Sequence, residues 1–136
     1  MNFIQLVKNV LEEKEKSLDS LFDNVISKNS FYKYKKRFPN LETLYKIANY
    51  LEVSIDYLFE LKDINSFKPY SINNNNFYTN LMLLINSKNI SGRKFCLDLH
   101  FSRDNLKRWK TGTHPSIQTL LDITNYFNCT FDDLLL

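Results

Sequence analysis

The sequence of 136 residues contains only two glycines, and this scarcity excludes the glycine-rich loops of nucleotide-binding enzymes. The dinucleotide-binding fingerprint needs three closely spaced glycines, and the Walker loop needs two followed by a lysine. Gly92 and Gly112 are too far apart for either motif. Only three prolines are present as well, which disfavours a turn-rich β-sandwich or barrel. We therefore expect a mainly helical chain.

The sequence also has little cysteine, because two residues do not make a disulfide framework. Cys96 and His100 are spaced to share a helix face, and they could form a zinc site with His114 and Cys129. The competing interpretation is that both thiols lie in a core in a reducing compartment. No Gly-x-Ser-x-Gly nucleophile elbow occurs. We expect no enzyme activity, no metal and no cofactor.

Long apolar runs are absent too, since no segment approaches the roughly 18 to 20 apolar residues of a membrane-spanning helix. No stretch resembles a signal peptide. Apolar residues nevertheless make up 43% of the chain and aromatic residues 15%, which excludes a disordered protein and indicates a packed core. We expect a soluble, cytoplasmic protein without a membrane partner.

The second half of the chain repeats the first. Residues 39–51 (PNLETLYKIANYL) align with residues 115–127 (PSIQTLLDITNYF) at a constant offset of 76 positions (115 − 39). The match continues downstream, where residues 53–58 align with residues 129–134. Upstream, the first copy is one residue shorter than the second in each of two turns. Agreement at several elements makes chance a poor explanation and predicts a tandem repeat.

The pattern of each copy predicts a series of capped helices. Apolar residues recur at helical spacing after small polar residues that are typical N-caps. The predicted caps are Ser17, Ser27, Asn40 and Ser54 in the first copy, and Ser91, Ser102, Ser116 and Thr130 in the second. Gly112 is predicted to end the third helix of the second copy in the left-handed conformation. The sequence therefore predicts an all-α chain with two five-helix domains, residues 1–61 and 77–136, joined by a polar linker at residues 62–76.

The second copy resembles a known family. Residues 99–112 (LHFSRDNLKRWKTG), followed by Pro115 and Ser116, are similar to the lambda-repressor-like (XRE, Cro/cI-type) helix-turn-helix domains. That family has a Ser-started recognition helix, Trp or Tyr near its end, then Gly, a basic loop and Pro-Ser-x-x-Thr-Leu. The resemblance implies two tandem helix-turn-helix domains, of which the N-terminal one is divergent. It further implies a bacterial or phage transcriptional regulator, a repressor, that binds double-stranded DNA sequence-specifically.

The resemblance also implies which residues contact DNA. With Leu106 and Phe31 facing the core, Trp109 and Tyr34 would pack each recognition helix onto its domain. The implied base-reading residues are Arg103, Asp104, Asn105, Lys107 and Arg108 in the second copy, and Lys28, Asn29, Tyr32 and Lys33 in the first. The implied phosphate contacts are Ser91, Arg93, Lys110, Thr111 and Thr113, with Lys35, Lys36 and Arg37 in the first copy.

Charge is concentrated at these positions. The net charge of the chain is only +3, from 18 basic and 15 acidic residues. Residues 28–37 contain five basic residues and no acidic one, and residues 88–110 contain seven basic and two acidic ones. The remainder therefore carries six basic (18 − 12) and thirteen acidic (15 − 2) residues. Cations at both recognition helices favour a DNA backbone as partner.

The sequence leaves two interpretations of the binding partner open. Members of the resembled family usually dimerise on palindromes, so a homodimer or an intramolecular pseudo-dimer of the two copies is expected, the latter on an asymmetric site. A protein-interaction module on the same fold, such as an antirepressor, an antitoxin or an inhibitor of a bacterial or phage system, is the alternative. The shortened turns of the first copy and the apolar C-terminal residues 134–136 favour that protein partner.

Overall fold

The computed structural model describes residues 2–73 and 76–136, and this part of the chain is helical, with no strand. The all-α prediction is confirmed. The chain divides into two compact units, Met1–Ser71 and Ile72–Leu136. The predicted linker, residues 62–76, includes residues 74 and 75, which lie outside the described residues.

The described part of the N-terminal unit, residues 2–71, forms five α-helices around a buried aliphatic and aromatic core. Val7, Leu21, Phe31, Leu44 and Ile47 are fully buried within it. The helices are α1 (Phe3–Glu13), α2 (Leu18–Asn24), α3 (Lys28–Tyr32), α4 (Leu41–Leu51) and α5 (Ile55–Leu58), and a 3-10 turn (Lys33–Lys35) follows α3.

The third helix of this unit is shorter than its sequence predicts. Helical spacing predicts a helix from Ser27 to Arg37, but the α-helix ends at Tyr32, and Tyr34 leaves helical geometry with φ −86° and ψ 19°. The Tyr34 ring is buried and meets the Phe3 ring edge-on at 5.8 Å. Packing of this ring against α1 accounts for the tighter turn, because local helix propensity is weak compared with tertiary contacts.

The predicted linker also differs in the structure, since its first half is anchored on the N-terminal unit. Asn65 accepts a hydrogen bond from the Ser54 amide at 2.9 Å and donates to the Glu52 carbonyl at 2.9 Å. The Tyr70 ring stacks on Tyr45 at 5.0 Å, and its hydroxyl accepts from the Ile55 amide at 2.8 Å. These polar side chains, which in sequence indicate a free linker, satisfy the backbone groups at the start of α5.

The C-terminal unit, as far as its residues are described, forms five further helices. They are α6 (Asn76–Ser87), α7 (Gly92–Leu99), α8 (Asp104–Lys110), α9 (Ile117–Phe127) and α10 (Phe131–Leu135). The predicted apolar side of α6 faces the core, with Phe77, Leu81 and Ile85 buried and Leu84 half-buried. α6 packs on α8 and α10, and α9 packs on α7 and α10.

Most of the predicted N-caps are present. In seven of them, a side-chain oxygen accepts a hydrogen bond from the amide three residues later, which satisfies one of the orphan donors of the helix. These caps are Ser17, Ser27, Asn40, Ser54, Ser91, Ser116 and Thr130. Ser102 differs, because its hydroxyl accepts from the nearer Asp104 amide at 3.3 Å and α8 begins only at Asp104. Gly112 has the predicted positive φ, at 106°.

Within the described ranges, none of the helices combines the length and the apolar character that crossing a bilayer requires.

Candidate nucleic-acid interface

Helix α8 is held in the C-terminal unit by its apolar side. Trp109 is only 4% exposed, and its ring lies edge-on to Phe77 at 5.3 Å and to Phe101 at 6.0 Å. Leu106 is half-buried. Because these two side chains point into the unit, the positions between them are left to solvent. The packing role that the resemblance implies for Trp109 agrees with this burial.

The cations of α8 occupy the solvent side. Arg103, Lys107 and Arg108 are exposed, as is Asp104. Among the described residues, the ion pairs found are Glu42–Lys46 at 3.6 Å and Asp98–Lys94 at 3.1 Å, and neither includes these three cations. Their positive charge is therefore available to an external anion.

Asn105 and Arg108 contact each other on this helix. The Arg108 guanidinium donates a hydrogen bond to the Asn105 side-chain oxygen. Asn105 is half-buried, whereas Arg108 is exposed. The sequence predicts Asn105 as a base-reading residue, and the structure directs its oxygen to Arg108.

An open cleft of about 500 Å³ lies beside α8. The residues that line it are Tyr78, Arg103, Asp104, Leu106, Lys107 and Lys110. The cleft thus brings three predicted base-reading residues together with one predicted phosphate contact. Tyr78 was not predicted, because its place on α6 gives no sequence signal for proximity to α8.

The predicted phosphate contacts of this unit flank α8. A Cβ atom placed on Gly92 would lie 3.0 Å from Leu106 Cδ1, so the start of α7 approaches α8 closely. The two predicted contacts there are Ser91, which caps α7, and Arg93, which is exposed in the first turn.

The other predicted phosphate contacts lie at the end of α8. The Thr111 hydroxyl and the Thr113 amide both donate to the Arg108 carbonyl, each at 3.0 Å. The Thr111 amide donates to the same carbonyl at 3.2 Å, so the last turn of α8 is closed by the residues that follow it, and the positive φ of Gly112 lets the chain turn back for the Thr113 bond. The turn leaves Lys110, Thr111 and Thr113 on the surface.

The predicted contacts of the N-terminal unit form a second exposed basic surface. Lys28 and Asn29 are exposed at the start of α3, and Lys33 is exposed in the 3-10 turn. Lys35, Lys36 and Arg37 follow and are exposed as well. Because the helix has ended by then, most of these cations lie beyond α3.

Tyr32, a predicted base-reading residue of this unit, packs against its neighbours. Its half-buried ring lies 6.1 Å from the ring of Phe22 and 5.5 Å from that of Phe31. The Lys35 ammonium lies 5.7 Å from the centre of the Tyr32 ring. The ring therefore joins α3 to α2.

Both cysteines lie in the C-terminal unit, Cys96 on α7 and Cys129 between α9 and α10. Cys96 is buried in the C-terminal unit, and this burial raises the pKa of its thiol. Cys129 is half-buried. Within the part of the chain that the structure describes, no group of three or more His, Cys, Asp or Glu side chains is arranged to hold a metal ion.

Comparison with known proteins gives a match that coincides with this interface. No curated protein and no solved structure matches the chain significantly. Residues 80–135, however, match the family described as the Cro/C1-type HTH DNA-binding domain. The matched residues include the whole of α7, α8, α9 and α10. The C-terminal unit of this chain therefore carries a Cro/C1-type HTH DNA-binding domain.

Proposed function

We propose that this protein is a sequence-specific, double-stranded DNA-binding transcriptional regulator that acts as a repressor. The observation that carries the proposal is the exposure of Lys107 and Arg108 on α8 and of Arg103 directly before it, inside the matched residues. In this function the protein binds and releases DNA and catalyses no reaction.

In the proposed complex, α8 lies in the major groove as the recognition helix. Arg103 and Arg108 suit the two acceptors on the major-groove edge of guanine, and Asp104 suits the amino group of cytosine. Phosphates on either side would be bound by Ser91 and Arg93 at the start of α7, and by Lys110, Thr111 and Thr113 after α8. These contacts fix the register, while the base contacts select the sequence.

We further propose that the N-terminal unit is a divergent second copy that contacts DNA through a second, unequal recognition helix. The described part of each unit forms five helices in succession, which supports this proposal. The caps Asn40 and Ser116 lie 76 positions apart (116 − 40), which is the offset of the sequence repeat. Left-handed residues also recur, with Glu52 and Asn128 ending α4 and α9.

The units differ at the turn before the proposed recognition helix. The residue that follows α7, His100, is left-handed with φ 58°, whereas the residue that follows α2, Val25, has φ −126°. The shorter turn between α2 and α3 supports a recognition helix in the N-terminal unit that differs from α8. Bound as an intramolecular pseudo-dimer, two unlike helices in one chain would favour an asymmetric DNA site, whereas a homodimer of the chain would favour a palindrome.

The proposal is tested by selecting duplexes from a random-sequence pool with the full chain. Affinity for the selected duplex and for a scrambled duplex of equal composition is then measured by fluorescence anisotropy across a salt series. We expect a preference of roughly 10³-fold or more for the selected duplex. A steep fall of affinity with salt is expected as well. Equal affinity for the two duplexes would refute sequence-specific binding.

A protein-interaction module, such as an antirepressor or an antitoxin, is the second candidate function. The observation that favours it is the exposure of Leu83 and Leu97, each 63% accessible, in the C-terminal unit. Contiguous exposed apolar patches mark surfaces that bind another protein, and exposed leucines on α6 and α7 could contribute to such a patch. Replacing Leu83 and Leu97 with serine discriminates the two functions, because it should leave DNA affinity unchanged if α8 is the binding element.

A further inference from the structure

We infer that the N-terminal unit contributes a sequence-independent clamp on the DNA backbone, formed by residues 33–37, whereas α8 supplies the discrimination between base sequences. Residues 33–37 are called the basic segment below. The inference rests on the proposed function and specifies how the two recognition helices are unequal, because it assigns base discrimination to α8 and backbone contact to the N-terminal unit.

The chemistry of the basic segment suits phosphate groups. Its four cations, Lys33, Lys35, Lys36 and Arg37, are all exposed, and the segment contains no acidic residue. Three of them are lysines, whose ammonium groups act as point charges without the planar fork that pairs with one base edge. A lysine-rich segment therefore gains affinity from counterion release, which is the same for every sequence.

The backbone geometry separates these cations from a groove-reading helix. Helix α3 has five residues and ends at Tyr32, so all four cations follow its last residue. A recognition helix reads bases mainly with residues of its first turns, which lie in the groove. Cations beyond the helix end are positioned to follow the sugar–phosphate backbone instead.

The surface of α3 itself offers few groups for reading bases. Tyr32 is engaged with Phe22 and Phe31, which leaves Lys28 and Asn29 as the exposed side chains of the helix. In contrast, α8 and the residue before it present two arginines, an aspartate and two lysines to solvent. The C-terminal surface therefore presents more kinds of hydrogen-bonding group to DNA bases than α3 does, and we assign the discrimination between sequences to it.

The experiment uses the full-length chain, the selected duplex and the scrambled duplex. One variant carries Lys33→Ala, Lys35→Ala and Lys36→Ala, which removes three cations of the basic segment. The matched control carries Lys8→Ala, Lys62→Ala and Lys68→Ala, which removes three exposed lysines elsewhere in the same unit. A third variant, Asn29→Ala with Tyr32→Phe, removes two polar groups with which α3 could read bases and keeps the charge of Lys28. Thermal melting followed by circular dichroism verifies that each variant folds.

We expect the basic-segment variant to bind both duplexes more weakly by the same factor, on the order of tenfold or more. The slope of log affinity against log salt should fall by about 2 to 3, since each phosphate contact contributes about 0.9. The control triple variant should change affinity and slope much less. The Asn29 and Tyr32 variant should keep the preference of the wild-type chain for the selected duplex.

Two results would overturn the clamp while leaving the proposed function intact. One is a loss of affinity by the basic-segment variant for the selected duplex alone; the other is unchanged affinity for both duplexes. If the triple variant does not fold, Lys36→Ala alone should still lower the slope by about 0.9, and an unchanged slope would overturn the clamp. Failure of the proposed function is separate, because it appears as equal affinity of the wild-type chain for the two duplexes.

Discussion

Arg108 donates a hydrogen bond to the side-chain oxygen of Asn105, one turn earlier on α8. The contact occupies one edge of the guanidinium and leaves its other donors exposed. An arginine fixed in this way loses less side-chain entropy when it binds a base than a free one does. Within the proposed function, Asn105 therefore orients Arg108 for its base contact.

We predict that Arg108→Ala weakens binding to the selected duplex by about 1–3 kcal/mol and relaxes the base preference in one half-site only. Asn105→Ala should weaken binding less, and the double variant should bind no more weakly than Arg108→Ala alone. Anisotropy titrations of the three variants form a double-mutant cycle that measures this coupling. Strictly additive losses would show that Asn105 acts independently of Arg108.

The elements that the sequence predicts correctly are those determined by neighbouring residues. Asn40 and Ser116 cap their helices because a short polar side chain reaches the amide three positions later, whatever the rest of the fold does. Gly112 adopts its positive φ for a similarly local reason. The exposed cations of α8 follow from the apolar spacing of Leu106 and Trp109.

The features that the sequence did not predict depend on contacts between distant residues. Tyr34 leaves the helix because its ring packs on Phe3, thirty-one positions away (34 − 3), and helical spacing carries no trace of that contact. Tyr70 lies in a polar stretch, yet its hydroxyl accepts a hydrogen bond from the Ile55 amide. Such pairings cannot be predicted from the local sequence, because each of the two residues is by itself compatible with several environments.

Gly112 should be the least replaceable residue of the loop that follows α8. Its φ of 106° is strained for any residue with a Cβ atom, although nothing lies within 4 Å of the position that this atom would take. We predict that Gly112→Ala lowers the free energy of unfolding by about 1–2 kcal/mol. Trp109 is the single tryptophan of the chain, so urea unfolding followed by its fluorescence reports on the C-terminal unit.

Thr113→Ala is the control for this loop, because Thr113 is exposed and keeps its amide bond to Arg108 when the side chain is shortened. It should unfold at nearly the wild-type urea concentration. A loss in Thr113→Ala as large as that in Gly112→Ala would show that side-chain contacts of the loop, rather than the backbone conformation, determine its stability.

Tyr70 should stabilise the N-terminal unit through its hydroxyl. The group accepts from the Ile55 amide at 2.8 Å in a buried position, and Tyr70 is only 6% exposed. Tyr70→Phe keeps the ring on Tyr45 but leaves that amide without its partner, which costs about 1–3 kcal/mol. The measurement is urea unfolding by circular dichroism, together with hydrogen exchange at the Ile55 amide, which should become faster. Tyr50→Phe, a change to a half-buried ring in the same unit, should leave both quantities unaltered.

The stability of the C-terminal unit should depend on pH through Asp98. Hydrogen bonds from the Tyr126 hydroxyl at 2.7 Å and from the Lys94 ammonium hold the pKa of this carboxyl below its ordinary value. A lowered folded pKa means that the contribution is present above the unfolded value of about 3.9 and is lost as pH falls through the folded pKa. We therefore predict that Asp98→Asn lowers the urea midpoint of Trp109 fluorescence at about pH 6, and that the difference from wild type shrinks as the pH falls below the unfolded value of about 3.9. Tyr126→Phe should reduce the same pH dependence, because it removes the larger of the two effects on Asp98. A difference between wild type and Asp98→Asn that stays constant across this range would show that the carboxylate charge does not stabilise the contact between α7 and α9.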